Sequence, residues 1–193
     1  MTSKIVLNLG AGKDHKQYLP GIFKHLEQVT VDADEQVKPD VCDDIRTLSK
    51  LAPSDGRVTY EFVTREVHGI FSSHTLEHLF AQDAYEALVF WNKEVLVPGG
   101  LLVLVLPDIR AAAEKIMMRR PLEPIYISPA GPIRALDILY AHPATTRDGN
   151  PYAMHRTGFC KEILEISLCE SGYIVSSVLE MGGELIAYAH KPN

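Results

Sequence analysis

The sequence predicts a single α/β domain over residues 1–193, built on a doubly wound, mostly parallel sheet that closes with a C-terminal antiparallel hairpin. Three observations carry this. Strand-like apolar runs alternate with helix-like stretches along most of the chain, the pattern of βαβ units. Residues 101–106 are apolar at every position, and a strand without a polar face needs cover on both sides, as at the centre of a parallel sheet. The last two strand-like runs are joined across Gly182-Gly183, which leaves no room for a crossover helix, so they pair antiparallel. A length of 193 residues suits one such domain and would cramp two.

The elements follow in order. Residues 4–9 form an apolar strand broken by Gly10-Ala11-Gly12, and the stretch to Leu26 contains Pro20-Gly21, which permits only a short helix. Residues 28–31 are the next strand, closing on Asp32. After a poorly patterned segment, 57–64 and 67–72 are further strands. Residues 76–97 read as one helix, with Leu79, Leu88, Val89, Val95 and Leu96 on its apolar side and a stop at Pro98-Gly99-Gly100. Helices follow over 108–118 and 157–170, the latter with Thr157 as N-cap and Gly172 at C′. Between them, residues 119–156 hold six of the twelve prolines and little period, which makes them either an ordered insertion over a site or an idle surface loop. Strands 173–179 and 185–190 complete the set.

Composition narrows the function. With 46% apolar and 23% charged residues the chain has the balance of a folded protein, not of a disordered one. A net charge of −6 with no basic run lacks the electrostatic footprint of a nucleic-acid binder, so a small-molecule partner is expected. Arg119-Arg120 suits the negative end of a helix dipole. No apolar run approaches the roughly 18 residues of a membrane span, and the N-terminus lacks a signal-peptide pattern. Cys42, Cys160 and Cys169 are odd in number and scattered, which reads as free thiols in a reducing cytoplasm.

The turn Asn8-Leu9-Gly10-Ala11-Gly12 would let backbone N–H groups approach a ligand with no Cβ in the way. Asp32 follows Gly12 by 20 residues and ends the second strand, where a carboxylate accepts both hydroxyl hydrogens of a ribose. A dinucleotide site wants a third glycine where His15 stands, and a phosphate-binding loop wants Ser or Thr after Gly12-Lys13, where Asp14 stands. S-adenosylmethionine carries no phosphate and needs neither.

Further segments carry a resemblance. Leu7–Gly12, then Val29-Thr30-Val31-Asp32-Ala33-Asp34, then Asp40-Val41-Cys42-Asp43-Asp44-Ile45, then Ile70-Phe71-Ser72-Ser73-His74-Thr75-Leu76-Glu77-His78-Leu79, then Val95–Gly100 with Leu106-Pro107-Asp108, and finally His155-Arg156-Thr157-Gly158-Phe159 span nearly the whole chain. In this order they resemble the motifs of class I, Rossmann-like S-adenosylmethionine-dependent methyltransferases, and more narrowly a type 11-like subgroup often associated with polysaccharide and glycan biosynthesis. The resemblance implies S-adenosylmethionine as cofactor and S-adenosylhomocysteine as product. It implies cofactor contacts at Asn8, Gly10, Ala11, Gly12, Asp32, Ala33, Ile45, Ser73 and His74, and an adenine contact at Asp44 with Asp43 as the near alternative. Two departures stand out: His68-Gly69 replaces the acid usually found before the fourth strand, and Asn8 stands where many members have Asp or Glu.

Methyl transfer needs alignment above all, and holding two reactants in attack geometry supplies roughly 7–11 kcal/mol. If a base takes part, His74 just past the fourth strand is the first candidate, because imidazole titrates near neutral pH; packing against the cofactor is its plainer role. Glu77 and His78 are expected to be structural. His74-Thr75-Leu76-Glu77-His78 also fits the H-x-x-E-H pattern of some zinc peptidases, but that motif needs a continuous helix, and His74 follows directly on a strand. A magnesium site that aids transfer to oxygen suits the scaffold better, yet no metal ligands are assigned. Tyr152, His155 and Arg156, with Tyr126, Tyr140 and His142, are expected to shape the acceptor pocket, and 119–156 to form a lid on the acceptor side. The expected function is therefore methylation of a small molecule, at the oxygen of a sugar or glycan precursor. Methylation of nitrogen, carbon or a protein side chain, and non-catalytic cofactor binding, are the alternatives.

Overall fold

The computed structural model describes residues 3–13, 19–60, 63–146 and 152–193. His15 and part of the 119–156 segment, residues 147–151, lie outside the described residues. An eight-stranded sheet runs in the order β3-β2-β1-β5-β6-β10-β9, with β4 paired to β5. Its strands are β1 (Lys4–Leu9), β2 (Glu27–Asp32), β3 (Val41–Cys42), β4 (Arg57–Tyr60), β5 (Val63–Ser73), β6 (Leu101–Pro107), β9 (Ile174–Met181) and β10 (Glu184–His190). The pairs from β3 to β6 along this order are parallel, whereas β10 pairs antiparallel with both β6 and β9, as the hairpin predicts. Strand β6 is central and buried on both faces.

The main core lies on the sheet face covered by α1 (Ala81–Phe90) and α5 (Lys161–Glu170), through Ala84, Ala87, Leu88, Leu164 and Leu168 against Leu7, Ile70, Leu102 and Leu104. On the opposite face Phe23 packs on Val6, Phe71 and Val103. Trp91 is wholly buried, and its indole N–H donates to the Ile45 carbonyl at 2.8 Å, tying the loop after β3 to the core.

Several expectations need correction. The strand expected over 57–64 is shorter, and the following one longer, because β4 and β5 form an antiparallel hairpin. The continuous helix expected over 76–97 is broken into a 3-10 turn (Leu76–His78), α1, and a π turn (Trp91–Val95). The Glu77 carbonyl accepts the Arg156 and Thr157 N–H groups at 2.7 and 3.2 Å, so it is not free to continue a helical ladder. For the same reason Thr157 is no N-cap: the chain stays pinned and extended until Cys160, and α5 starts at Lys161. Asp108 instead caps α2 (Ile109–Met117), accepting from Arg110 N.

The segment 119–156 is more regular than its prolines suggest. It holds a hairpin, β7 (Tyr126–Ser128) with β8 (Gly131–Ile133), then α3 (Ala135–Tyr140) and α4 (Pro143–Thr146). Ile133, Ala135 and Ile138 form a small core of their own with Ala112 of α2.

Candidate active site

Strand order reverses between β1 and β5: the chain winds outward to β3 on one side and to β6 on the other. Ligands bind in open α/β sheets at such a point, beyond the carboxyl ends of the strands. A cavity of about 960 Å³ opens there, lined on one side by Gly10, Gly12, Asp32, Ala33 and Ile45 and on the other by His74, Glu77, Tyr126, Tyr152 and His155.

The glycine turn is built by close approach. Gly10 has φ +69°, and a Cβ there would run into the Thr75 side chain. A Cβ on Gly12 would meet nothing within 4 Å among the described residues. The N–H groups of Gly10 and Ala11 donate back to the Val31 carbonyl at 2.8 and 3.2 Å. Gly12 N and Asp34 N each donate to one oxygen of Asp32 at 2.9 Å, which leaves each oxygen a lone pair for a ligand hydroxyl. Asp32 therefore fits a ribose diol, and the open side of Gly12 admits a ligand against the backbone.

The loop after β3 divides its acids. Asp43 is buried and accepts from Asp44 N, Ser49 Oγ and Lys50 N, so it shapes the loop and does not line the cavity. Asp44 lines the cavity, but Arg46 engages both its oxygens through N, Nε and Nη2 at 2.6–3.0 Å. That guanidinium holds the Asp44 carboxyl below its ordinary range and also reaches Asp83 at 3.0 Å. An adenine contact at Asp44 requires Arg46 to swing aside.

At the other end, His74 follows β5 in a left-handed conformation, φ 51°, uncommon for a residue with a side chain. Its Nε2 lies 3.1 Å from Glu184 Oε1 and its Nδ1 3.5 Å from Glu77 Oε1. Enclosure works against the imidazolium, yet Glu184 and Glu77 override it and raise the pKa to about 10. At neutral pH His74 is therefore a cation with its proton already in place, which is poor for a general base. Glu77 is 2% exposed, and among the described residues neither carboxylate oxygen has a hydrogen-bond partner. Desolvation disfavours its charge, but His74 and the neighbouring histidines keep the carboxyl below its ordinary range. Burial raises the Tyr126 hydroxyl, with Glu184 adding to the effect.

Of the residues singled out in the sequence, Gly10, Gly12, Asp32, Ala33, Asp44, Ile45, His74, Tyr126, His142, Tyr152, His155 and Arg156 line this one cavity, whereas Asn8, Ala11, Asp43, Ser73 and Tyr140 do not. Asn8 is buried within β1. Sequence reasoning missed Glu184 and undervalued Glu77. The signal for Glu184 was present, because an antiparallel strand begins where its parallel neighbours end, and Glu184 pairs with Pro107 at the end of β6.

No family model matches the sequence, and no curated protein matches it. Solved structures are similar in fold. An S-adenosylmethionine-dependent methyltransferase from Archaeoglobus fulgidus aligns with a TM-score of 0.60 and 16% identity over 98% of this chain and 86% of that one. The 1,6-didemethyltoxoflavin-N1-methyltransferase of Burkholderia thailandensis, solved with its substrate and S-adenosylhomocysteine, aligns at 0.56 and 16% over 100% and 72%. A glycopeptide N-methyltransferase complexed with S-adenosylhomocysteine aligns at 0.56 and 19% over 100% and 83%. The chain has the Rossmann-like fold of the class I methyltransferases.

Proposed function

We propose that the chain is an S-adenosylmethionine-dependent methyltransferase acting on a small molecule, in its specific form at the oxygen of a sugar or glycan precursor. The observation that carries this is the single cavity joining the glycine turn and Asp32 to a polar chamber at the end of β5. When bound, S-adenosylmethionine supplies an electrophilic methyl group on a cationic sulfonium. Asp32 holds the ribose hydroxyls, and Gly12, which has no side chain, lets the cofactor approach the turn. His74, Glu77 and Glu184 together carry one positive and two negative charges, a net balance that suits a cation nearby. His74 positions groups through Glu184 and Glu77 and does not remove a proton at neutral pH. Tyr126, Tyr152, His155 and Arg156 offer the hydrogen-bonding surface that a polyhydroxylated acceptor needs. Segment 119–156 is the acceptor-side lid of this one-domain enzyme. The three free cysteines favour action in the cytoplasm, and no helix among the described residues is long and apolar enough to cross a membrane.

Nitrogen methylation is the second reading, favoured by the N-methyltransferases among the structural neighbours. Calorimetry with S-adenosylhomocysteine tests the cofactor. Binding is expected, and Asp32→Ala should weaken it at least about tenfold, the worth of hydrogen bonds to a charged group. No heat from a folded protein overturns the proposal. Release of S-adenosylhomocysteine that depends on a hydroxylated sugar supports the specific reading; release with amines alone moves it to nitrogen, and release with neither reduces the chain to a binding module.

A further inference from the structure

We propose that Glu77, His78 and His155 form a binding site for one divalent transition-metal ion of the zinc, cobalt or manganese type at the floor of the acceptor chamber. Each brings a potential donor atom to within 4.8 Å of the others. Ligand bonds of roughly 2.0–2.2 Å bring donor atoms closer together than this, so an ion would draw the three side chains inward.

Two independent features point to an ion. The first is the Glu77 carboxylate, buried with no hydrogen bond to either oxygen among the described residues and with a cation beside only one of them. Oε1 faces His74 at 3.5 Å, which leaves Oε2 for a ligand. The second is the state of the two imidazoles. His78 Nδ1 lies 3.2 Å from the Met154 carbonyl, and His155 Nδ1 lies 2.7 Å from the Ile138 carbonyl. A carbonyl only accepts, so both Nδ1 atoms carry hydrogen, and in the neutral rings both Nε2 atoms present lone pairs. Metal-bound histidines are oriented in this way.

The break that ends the expected helix at Leu79 creates the cluster. His74 stays outside it at the end of β5, and the backbone bonds from Arg156 and Thr157 to Glu77 bring His155 beside Glu77 and His78. Two imidazoles and one carboxylate favour a transition metal over magnesium or calcium, and three protein ligands leave open positions. On the methyltransferase reading, on which this last step rests, those positions would take an acceptor oxygen and lower its pKa.

The test uses the full chain stripped of metal by a chelator. Cobalt(II) titration should give visible ligand-field bands that saturate at one ion per chain, displaced by zinc and not by magnesium. Glu77→Gln and His155→Ala should each weaken cobalt binding at least about tenfold, with circular dichroism confirming the fold. Absence of the bands, or bands unchanged in both variants, overturns the site. If Glu77→Gln does not fold, His155→Ala and His78→Ala decide. Calorimetry with S-adenosylhomocysteine on the metal-free protein keeps the two proposals apart, since loss of cofactor binding there refutes the methyltransferase and leaves the cobalt result standing.

Discussion

His74 couples its charge to the folded state. Its pKa is raised from 6.5 to about 10, so the stabilisation it supplies is fully present below about pH 6.5 and fades as pH climbs through 10. In urea unfolding, the advantage of the parent over His74→Gln should therefore be greatest near pH 6 and vanish above about pH 10. Its size should be about 1 kcal/mol or less, because 40% of the side chain is exposed and solvent screens the pairs. An advantage that grows with pH would contradict the assigned charge. The glycines of the first turn separate two costs. Gly12→Ala meets open space and should cost about 1–2 kcal/mol through its positive φ alone, whereas Gly10→Ala adds a collision with Thr75 and should cost more. Thr75→Ala in the Gly10→Ala background should recover part of that difference in denaturant midpoint. Asp32 and the glycines were legible in the sequence because turn chemistry and strand ends are local. The occupation of Asp44 by Arg46 was not, since nothing in the spacing says which carboxylate a neighbouring guanidinium will take.

Elements were legible where a hydrophobic period coincided with free backbone groups. Strands β1, β2 and β6 and the final hairpin stand close to their expected bounds. The run 76–97 had helical period throughout, but a distant segment took the Glu77 carbonyl, and no single-sequence pattern records such competition. The segment 119–156 misled in the opposite direction, because its prolines masked a hairpin and two helices with their own small core. That core is modest, and Tyr126, Ile138 and Tyr152 from this segment face the cavity. Amides of 126–140 should therefore gain hydrogen-exchange protection when S-adenosylhomocysteine and an acceptor are both present. Equal exchange with and without ligands would make the segment a static wall.

At the scale of the molecule, ligand and fold are linked through the cavity between β1 and β5. S-adenosylhomocysteine at 100 times its dissociation constant should stabilise the chain by about 2.7 kcal/mol, read as a rise in melting temperature that Asp32→Ala reduces. The sheet also dictates an order of events during synthesis. Strand β10 enters between β6 and β9, and the His74–Glu184 contact it completes spans 110 residues. A nascent chain that has emerged only as far as Met181 leaves β6, with Leu102, Val103, Leu104 and Leu106, as an open apolar edge, and edges of that kind recruit other strands. The interval between the emergence of β6 and that of β10 is thus the one in which this chain is most exposed to misassociation. A released chain truncated after Met181 should be retained by chaperones and resist purification as monomer, and restoring residues 182–193 should free it.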